Sequence, residues 1–155
     1  MSLAERALSG LWRSRFMRAQ DVPALGKLMF AAYRGTVDDE GESEADAVGE
    51  VERTIEGGYG PLLDKGSFVV EEGGRIVGAS MTTLFELDPF LTYLVVDPEM
   101  KRRGIGTFII AASGNALLSA GYATLDLFVT EANEPAVNLY RKLGFRVVDR
   151  VTEPT

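Results

Sequence analysis

The chain has no cysteine and no histidine among its 155 residues. The first absence excludes a thiol nucleophile and a disulfide framework. The second excludes a Ser-His-Asp triad. Together they exclude zinc sites built on imidazole or thiolate, and no metal is expected. Acid–base chemistry must then come from Glu, Asp, Tyr, Lys or ordered water. No apolar run approaches the roughly 18 residues that a membrane span needs. The opening Met1-Ser2-Leu3-Ala4-Glu5-Arg6 lacks the apolar centre of a signal peptide. No membrane partner is therefore expected, and the missing cysteine agrees with a cytoplasmic setting. No repeat or low-complexity linker divides the chain. The expected organisation is a tail over residues 1–10, frayed or added, and one domain over 11–155.

Cations are the scarcer charge, and they are unevenly placed. Against 23 Asp and Glu there are 16 Lys and Arg, a net charge of -7. Residues 1–100 hold 9 basic and 18 acidic side chains, whereas residues 101–155 hold 7 and 5. So acidic a chain is a poor general nucleic-acid binder. Its basic part suits an anionic ligand, or is simply solvated surface.

Periodicity predicts the elements. Leu11 to Met17 reads as a first strand. Asp21 then stands as an N-cap with Pro23 in the first helical turn, and Leu25, Leu28, Met29 and Ala32 share one face up to Gly35. Ser43 caps a second helix running through Glu56, with Val48, Val51 and Ile55 on its buried side. Ser67 to Glu72 and Arg75 to Phe85 are β-rich runs around a Gly73-Gly74 hairpin turn. Pro89 is expected to interrupt before a strand from Phe90 to Val96. A helix from Arg103 to Ala120, a strand from Thr124 to Val129, a helix from Pro135 to Gly144 and a strand from Phe145 to Val151 complete the order. Strand four, helix and strand five form a crossover, which places those two strands parallel. The fold class is α/β with a mixed sheet.

The most informative stretch runs from Val95 to Thr107. It reads as a strand end, a turn, and a glycine-rich helix start beside Lys101, Arg102 and Arg103. Glycines 104 and 106 allow close approach of a ligand, and the first-turn N–H groups of a helix point out unpaired towards an anion. Alternatively, the glycines serve only a tight turn. There is no GxxxxGK[ST] and no full GxGxxG, which excludes a nucleoside-triphosphate P-loop and a dinucleotide fingerprint.

Two segments together carry a resemblance. Lys101-Arg102-Arg103-Gly104-Ile105-Gly106 is followed by Asn133-Glu134-Pro135-Ala136-Val137-Asn138-Leu139-Tyr140-Arg141-Lys142-Leu143-Gly144-Phe145. With the element order over residues 11 to 151, the chain resembles the GNAT superfamily of acyl-CoA-dependent N-acyltransferases. That resemblance implies a GNAT-like sheet whose strands four and five splay apart, with helices on both faces. It implies acetyl-CoA as co-substrate and a primary amine, small-molecule or protein-borne, as acceptor. Backbone amides from Arg102 to Thr107, through Arg103, Gly104, Ile105 and Gly106, would hold the pyrophosphate. The backbone of Leu94 and Val96 would pair with the pantetheine arm, and an N–H near Leu94 or Val95 would face the oxyanion. Asn133 would contact the arm, or cap the helix that follows. Tyr140 would protonate the leaving thiolate, or pack as a core aromatic beside Phe145.

Three departures from the family pattern matter. Lys101 stands where Arg or Gln is usual, so the charge is kept and the planar fork is lost. Thr92 and Tyr93 stand where many members carry a strand-four carboxylate, which leaves Glu86 as the nearest candidate base. The chain also stops soon after Val151, where members commonly add a strand, so either the sheet stays open or a second protomer of a homodimer completes it. The nine acidic and one basic residues of 38–56 favour a cationic acceptor such as a polyamine, an aminoglycoside or a lysine side chain, or else are a solvated helix surface. The alternative function is a non-catalytic acyl-CoA sensor or interaction module.

Overall fold

The computed structural model describes residues 1–8, 10 and 12–147. Five strands lie in the order in which they occur: β1 (Arg13–Phe16), β2 (Phe68–Glu72), β3 (Arg75–Phe85), β4 (Asp88–Val96) and β5 (Asp126–Leu127). The first three pairings are antiparallel and the fourth is parallel, as the crossover through α3 (Ile105–Ser119) requires. Helices α1 (Val22–Tyr33) and α2 (Glu44–Ile55) cover one face. Their Leu25, Leu28, Met29, Ala47 and Val51 meet Val69, Ala79, Met81 and Val95 of the sheet. On the other face Ile105, Phe108 and Ile109 of α3 pack on Val70 and Val77. Alternate residues of a strand face opposite sides, so Val69 and Val70 serve different cores. Leu139 and Leu143, from α4 (Glu134–Lys142) and the residue that caps it, join Leu91, Ile110 and Leu125 in a third cluster.

Local chemistry accounts for the elements and for the departures from expectation. Ser43 and Asp46 form a reciprocal capping box that starts α2. Asp21 occupies the N-cap position of α1, yet its side chain makes no cap hydrogen bond. Its carboxylate instead accepts two hydrogen bonds from Arg15, both at 2.8 Å, and one from the Arg18 backbone N–H. Gly26 sets how closely α1 and α2 approach. A Cβ there would lie 2.8 Å from Val48 Cα, so no larger residue fits without separating the helices.

Pro89 does not interrupt the sheet: it lies inside β4, opposite Leu84. The Leu84 N–H turns away from β4 to the Pro61 carbonyl, at 2.8 Å. Pro89 therefore sits at a pair that exchanges no ladder hydrogen bonds, where its missing N–H costs nothing. β5 is two residues rather than the six expected. Phe145, Arg146 and Val147 form no strand, and the remainder of the expected last strand lies outside the described residues. The opening residues, expected as a frayed tail, are bound. The Met1 amino group donates to the Leu125 carbonyl, Leu3 N–H to Ala123, and Arg6 and Asn115 exchange two hydrogen bonds at 2.8 Å. Among the described residues no helix is long and apolar enough to cross a membrane.

Candidate active site

The sheet opens where β4 leaves β5. Only Phe90 and Leu91 pair with β5, and among the described residues Thr92 to Val96 have no partner on that side. The Asp97 N–H bonds the Val77 carbonyl at 2.8 Å. Backbone polar groups alternate sides along a strand, so Val95 also presents its peptide groups to β3. The open edge is left to Leu94 and Val96. Val95 is placed to pack, with its side chain 3% exposed among the α1–α2 contacts, rather than to face a ligand.

The turn beyond β4 is held by Asp97, which the sequence reading did not single out. Its carboxylate accepts from the Glu99 N–H and from Arg75, both at 2.9 Å. The chain then passes through two left-handed residues, Arg102 at φ 65° and Gly104 at φ 80°. A non-glycine residue held there costs on the order of 1 kcal/mol or more. Gly104 caps α3 without any side-chain hydrogen bond. Its carbonyl accepts from the Phe108 N–H at 3.0 Å, so the amides of Ile105, Gly106 and Thr107 have no helical partner. Ile105 anchors this turn with a buried side chain, and Thr107 is exposed.

The three cations part company. Lys101 and Arg102 are exposed, and neither forms an ion pair among the described residues. Arg103 points to the other side, 5.1 Å over the Trp12 ring and 3.6 Å from Glu72. Its side chain braces α3 against β2 and leaves only its backbone to the turn. Gly106 faces the opening: a Cβ there would lie 3.3 Å from Leu139 and 3.9 Å from Leu94.

A groove of about 1270 Å³ extends from this opening. Leu94, Thr130 and Tyr140 line one part of it, and Tyr33, Glu50 and Tyr93 another. Tyr140 meets Phe145 edge-on at 5.6 Å, so its ring packs as a core aromatic would. Its hydroxyl makes no hydrogen bond to a described residue. No buried side-chain polar atom among them lacks a partner, so that hydroxyl opens onto the groove. Burial pushes the Tyr140 phenol up to about 12. Asn133 caps α4, accepting from Ala136 N–H at 3.4 Å, and its amide donates to Asp38 at 3.4 Å. Thr130 donates to the same carboxylate at 2.7 Å. Asp38 thus ties the α1–α2 connection across the groove to the β5–α4 connection.

Glu86 is not brought to this place. It sits at φ 57° in the exposed turn between β3 and β4, outside the groove lining. Among the carboxylates that do line the groove, Glu50 of α2 is the one hydrogen-bonded by Tyr93 of β4, at 2.7 Å. These two residues are 43 positions apart, and no spacing rule links them.

Comparison with known proteins agrees with this architecture. The Acetyltransferase (GNAT) family model matches residues 32–145. An acetyltransferase of Pectobacterium atrosepticum is 32% identical over 84 residues, covering 54% of this chain and 60% of that protein. The Escherichia coli [Ribosomal protein bS18]-alanine N-acetyltransferase is 30% identical over 79 residues, covering 51% and 53%. The chain therefore matches little more than half the length of these relatives. The PaiA N-acetyltransferase of Thermoplasma acidophilum, solved in complex with coenzyme A, superposes with a TM-score of 0.71. It shares 18% identity over 90% of this chain and 92% of that one, a likeness of fold. With a family match over most of its length and the same α/β architecture, this chain belongs to the GNAT acetyltransferase family.

Proposed function

We propose that the protein transfers an acetyl group from acetyl-CoA to a primary amine by direct attack. The observation that carries this reading is the break between β4 and β5 beside the uncapped first turn of α3. The unpaired edge at Leu94 and Val96 can receive an extended amide-bearing arm as an added strand. The turn from Arg102 to Thr107 offers backbone amides and the positive end of a helix to a pyrophosphate, with Lys101 and Arg102 adding charge. Gly106 keeps the entrance clear. The solved relative that holds coenzyme A on the same fold supports the donor, and the curated relatives named as acetyltransferases support the reaction.

In the reaction the neutral amine nitrogen bonds to the thioester carbonyl carbon, the carbon–sulfur bond breaks, and nitrogen sheds one proton as sulfur gains one. The Leu94 N–H, on the open edge, is the amide placed to meet the oxyanion. Tyr140 stays protonated at neutral pH and donates to the departing sulfur. A free thiol has a pKa of about 8.5, so full transfer from an ordinary buried phenol runs uphill. The same apolar surroundings also raise a thiol, which narrows the gap. The proton lost by nitrogen leaves through groove water, since Glu86 lies elsewhere.

The test is incubation with acetyl-CoA and a panel of amines, reading free CoA and acetylated product mass together. Stoichiometric release of both supports the reading. Tight acetyl-CoA binding with no product from any amine would replace it with a binding module.

A further inference from the structure

The groove also holds a carboxylate in contact with phenols. Tyr93 and Tyr59 both donate to Glu50 Oε2, at 2.7 and 2.8 Å. Tyr33 and Tyr59 each meet the Tyr93 ring edge-on at 6.5 Å. Two donors on one oxygen fix the carboxylate and leave Oε1 open. Its nearest cation is Arg53, at the 4.0 Å limit of an ion pair, and 34% of the Glu50 side chain remains exposed. The Arg53 guanidinium lies 5.2 Å from the centre of the Tyr59 ring. The cluster thus already draws a cation of its own chain to its rim. Burial and the Glu50 charge raise the Tyr59 and Tyr93 phenols, which keeps them as donors and Glu50 as the acceptor.

The Glu50 carboxylate makes no hydrogen bond to Tyr140; its partners among the described residues are Tyr59, Tyr93 and Arg53. A chain of contacts links it to Tyr140: Tyr93 donates to Glu50 and meets Tyr33 edge-on, and the Tyr33 phenol feels the Tyr140 group. We infer that Glu50, with Tyr33, Tyr59 and Tyr93, is a subsite for a second cationic group of the acceptor. The substrate class is then a diamine: one amino group reacts near Tyr140 while a distal alkylammonium is held by Glu50 Oε1 and the tyrosine rings. An ammonium suits the site because it supplies the donors that Oε1 lacks and is attracted to ring faces. This assignment rests on the acyl-transfer reading for its first amine, though not for the binding of the second.

Calorimetric titration of the CoA-saturated protein tests it, with α,ω-diamines of increasing length against monoamines of the same length. The expected result is that one range of diamine lengths binds about ten- to a hundredfold more tightly, the worth of a hydrogen bond to a charged group. Glu50→Gln keeps an acceptor for both phenols and should erase that preference while CoA affinity is unchanged. Tyr59→Phe should reduce it part-way. Equal binding of diamines and monoamines, or a preference that survives Glu50→Gln, overturns the subsite. So does a Glu50→Gln variant whose kcat falls equally for both amine classes with KM unchanged, which would make Glu50 a proton acceptor instead. Preferential diamine binding without acetyl transfer would keep the subsite and remove the acyl-transfer reading.

Discussion

The two ends of the groove are built from different material. The proposed donor end is made of backbone: uncapped amides of α3, the open edge of β4, and glycines that leave room. The proposed acceptor end is made of side chains from α1, α2, the loop after α2 and β4, with Glu50 and three phenols in contact. A backbone site binds what all members of a fold share and tolerates change in most side chains. A side-chain site depends on which residues distant segments bring together, and can be re-specified one substitution at a time. On the proposed reading, a common donor and a variable acceptor call for separate kinds of structure.

The sharpest test of this division is Tyr140, the donor-end side chain proposed to move a proton. Tyr140→Phe should lower kcat about a hundredfold, the usual worth of a positioned proton donor, with KM for acetyl-CoA little changed. The pH profile carries a second check. With the Tyr140 phenol pushed up to about 12, kcat/KM should climb as the amine deprotonates and show no falling limb from this group until that value is approached. A descending limb near pH 10 that disappears in the Phe variant would contradict the burial assigned to Tyr140.

Next in size is the anchoring of the acceptor end. α1 is held to β1 by Arg15 and Asp21, and the Arg15 hydrogen bonds hold the Asp21 carboxyl below its ordinary value. A lowered folded pKa means that the stabilisation is fully present above the unfolded value of about 3.9. It is lost as pH falls through the folded value. Asp21→Asn should cost about 2 kcal/mol at neutral pH, less than a fully buried pair because Arg15 is partly solvated. Urea unfolding of both proteins should converge in strong acid; a constant difference across pH would show that the pair does not act through charge.

Smaller effects separate conformation from space at the donor end. Gly104→Ala should cost about 1 kcal/mol, because its backbone is left-handed while nothing lies within 4 Å of the added carbon. Gly106→Val has no such backbone cost and should instead raise KM for acetyl-CoA by crowding Leu139. If the two variants behave alike in thermal melts and in KM, the distinct roles given to these glycines fail. The smallest change is expected of Arg103→Ala. Its side chain rests on Trp12 and Glu72, so stability should fall by less than about 1 kcal/mol and KM should barely move. A large rise in KM would mean that this arginine turns into the groove.

Much of the donor end was legible in residue order. Val95 to Thr107 reads as a strand, a turn and a helix start because hydrophobic runs and glycines act locally, and the parallel pairing of β4 and β5 follows from the crossover. Pro89 was misread because its tolerance depends on where the Leu84 N–H goes, a fact of the neighbouring segment. β5 was overestimated because Thr124 to Val129 has strand-forming residues but a β4 partner for only two of them, while Thr124 bridges Ser2 instead. Glu86 was singled out for its nearness in sequence, yet a hairpin turn carries it into solvent. Glu50 looked like one acid among nine in residues 38–56, and only the packing of α2 on Tyr93 distinguishes it.

Residue order alone was enough for most of the helices and strands and for the glycine turn proposed to bind an anion, because each depends on residues within about one turn or one strand of each other. Only tertiary packing set which of the groove's carboxylates meets the tyrosines, that Arg103 turns to Trp12 and Glu72, and that Asp38 spans the groove. Those outcomes depend on contacts between segments far apart in the chain, and the energies involved are set by burial and geometry that no local spacing encodes.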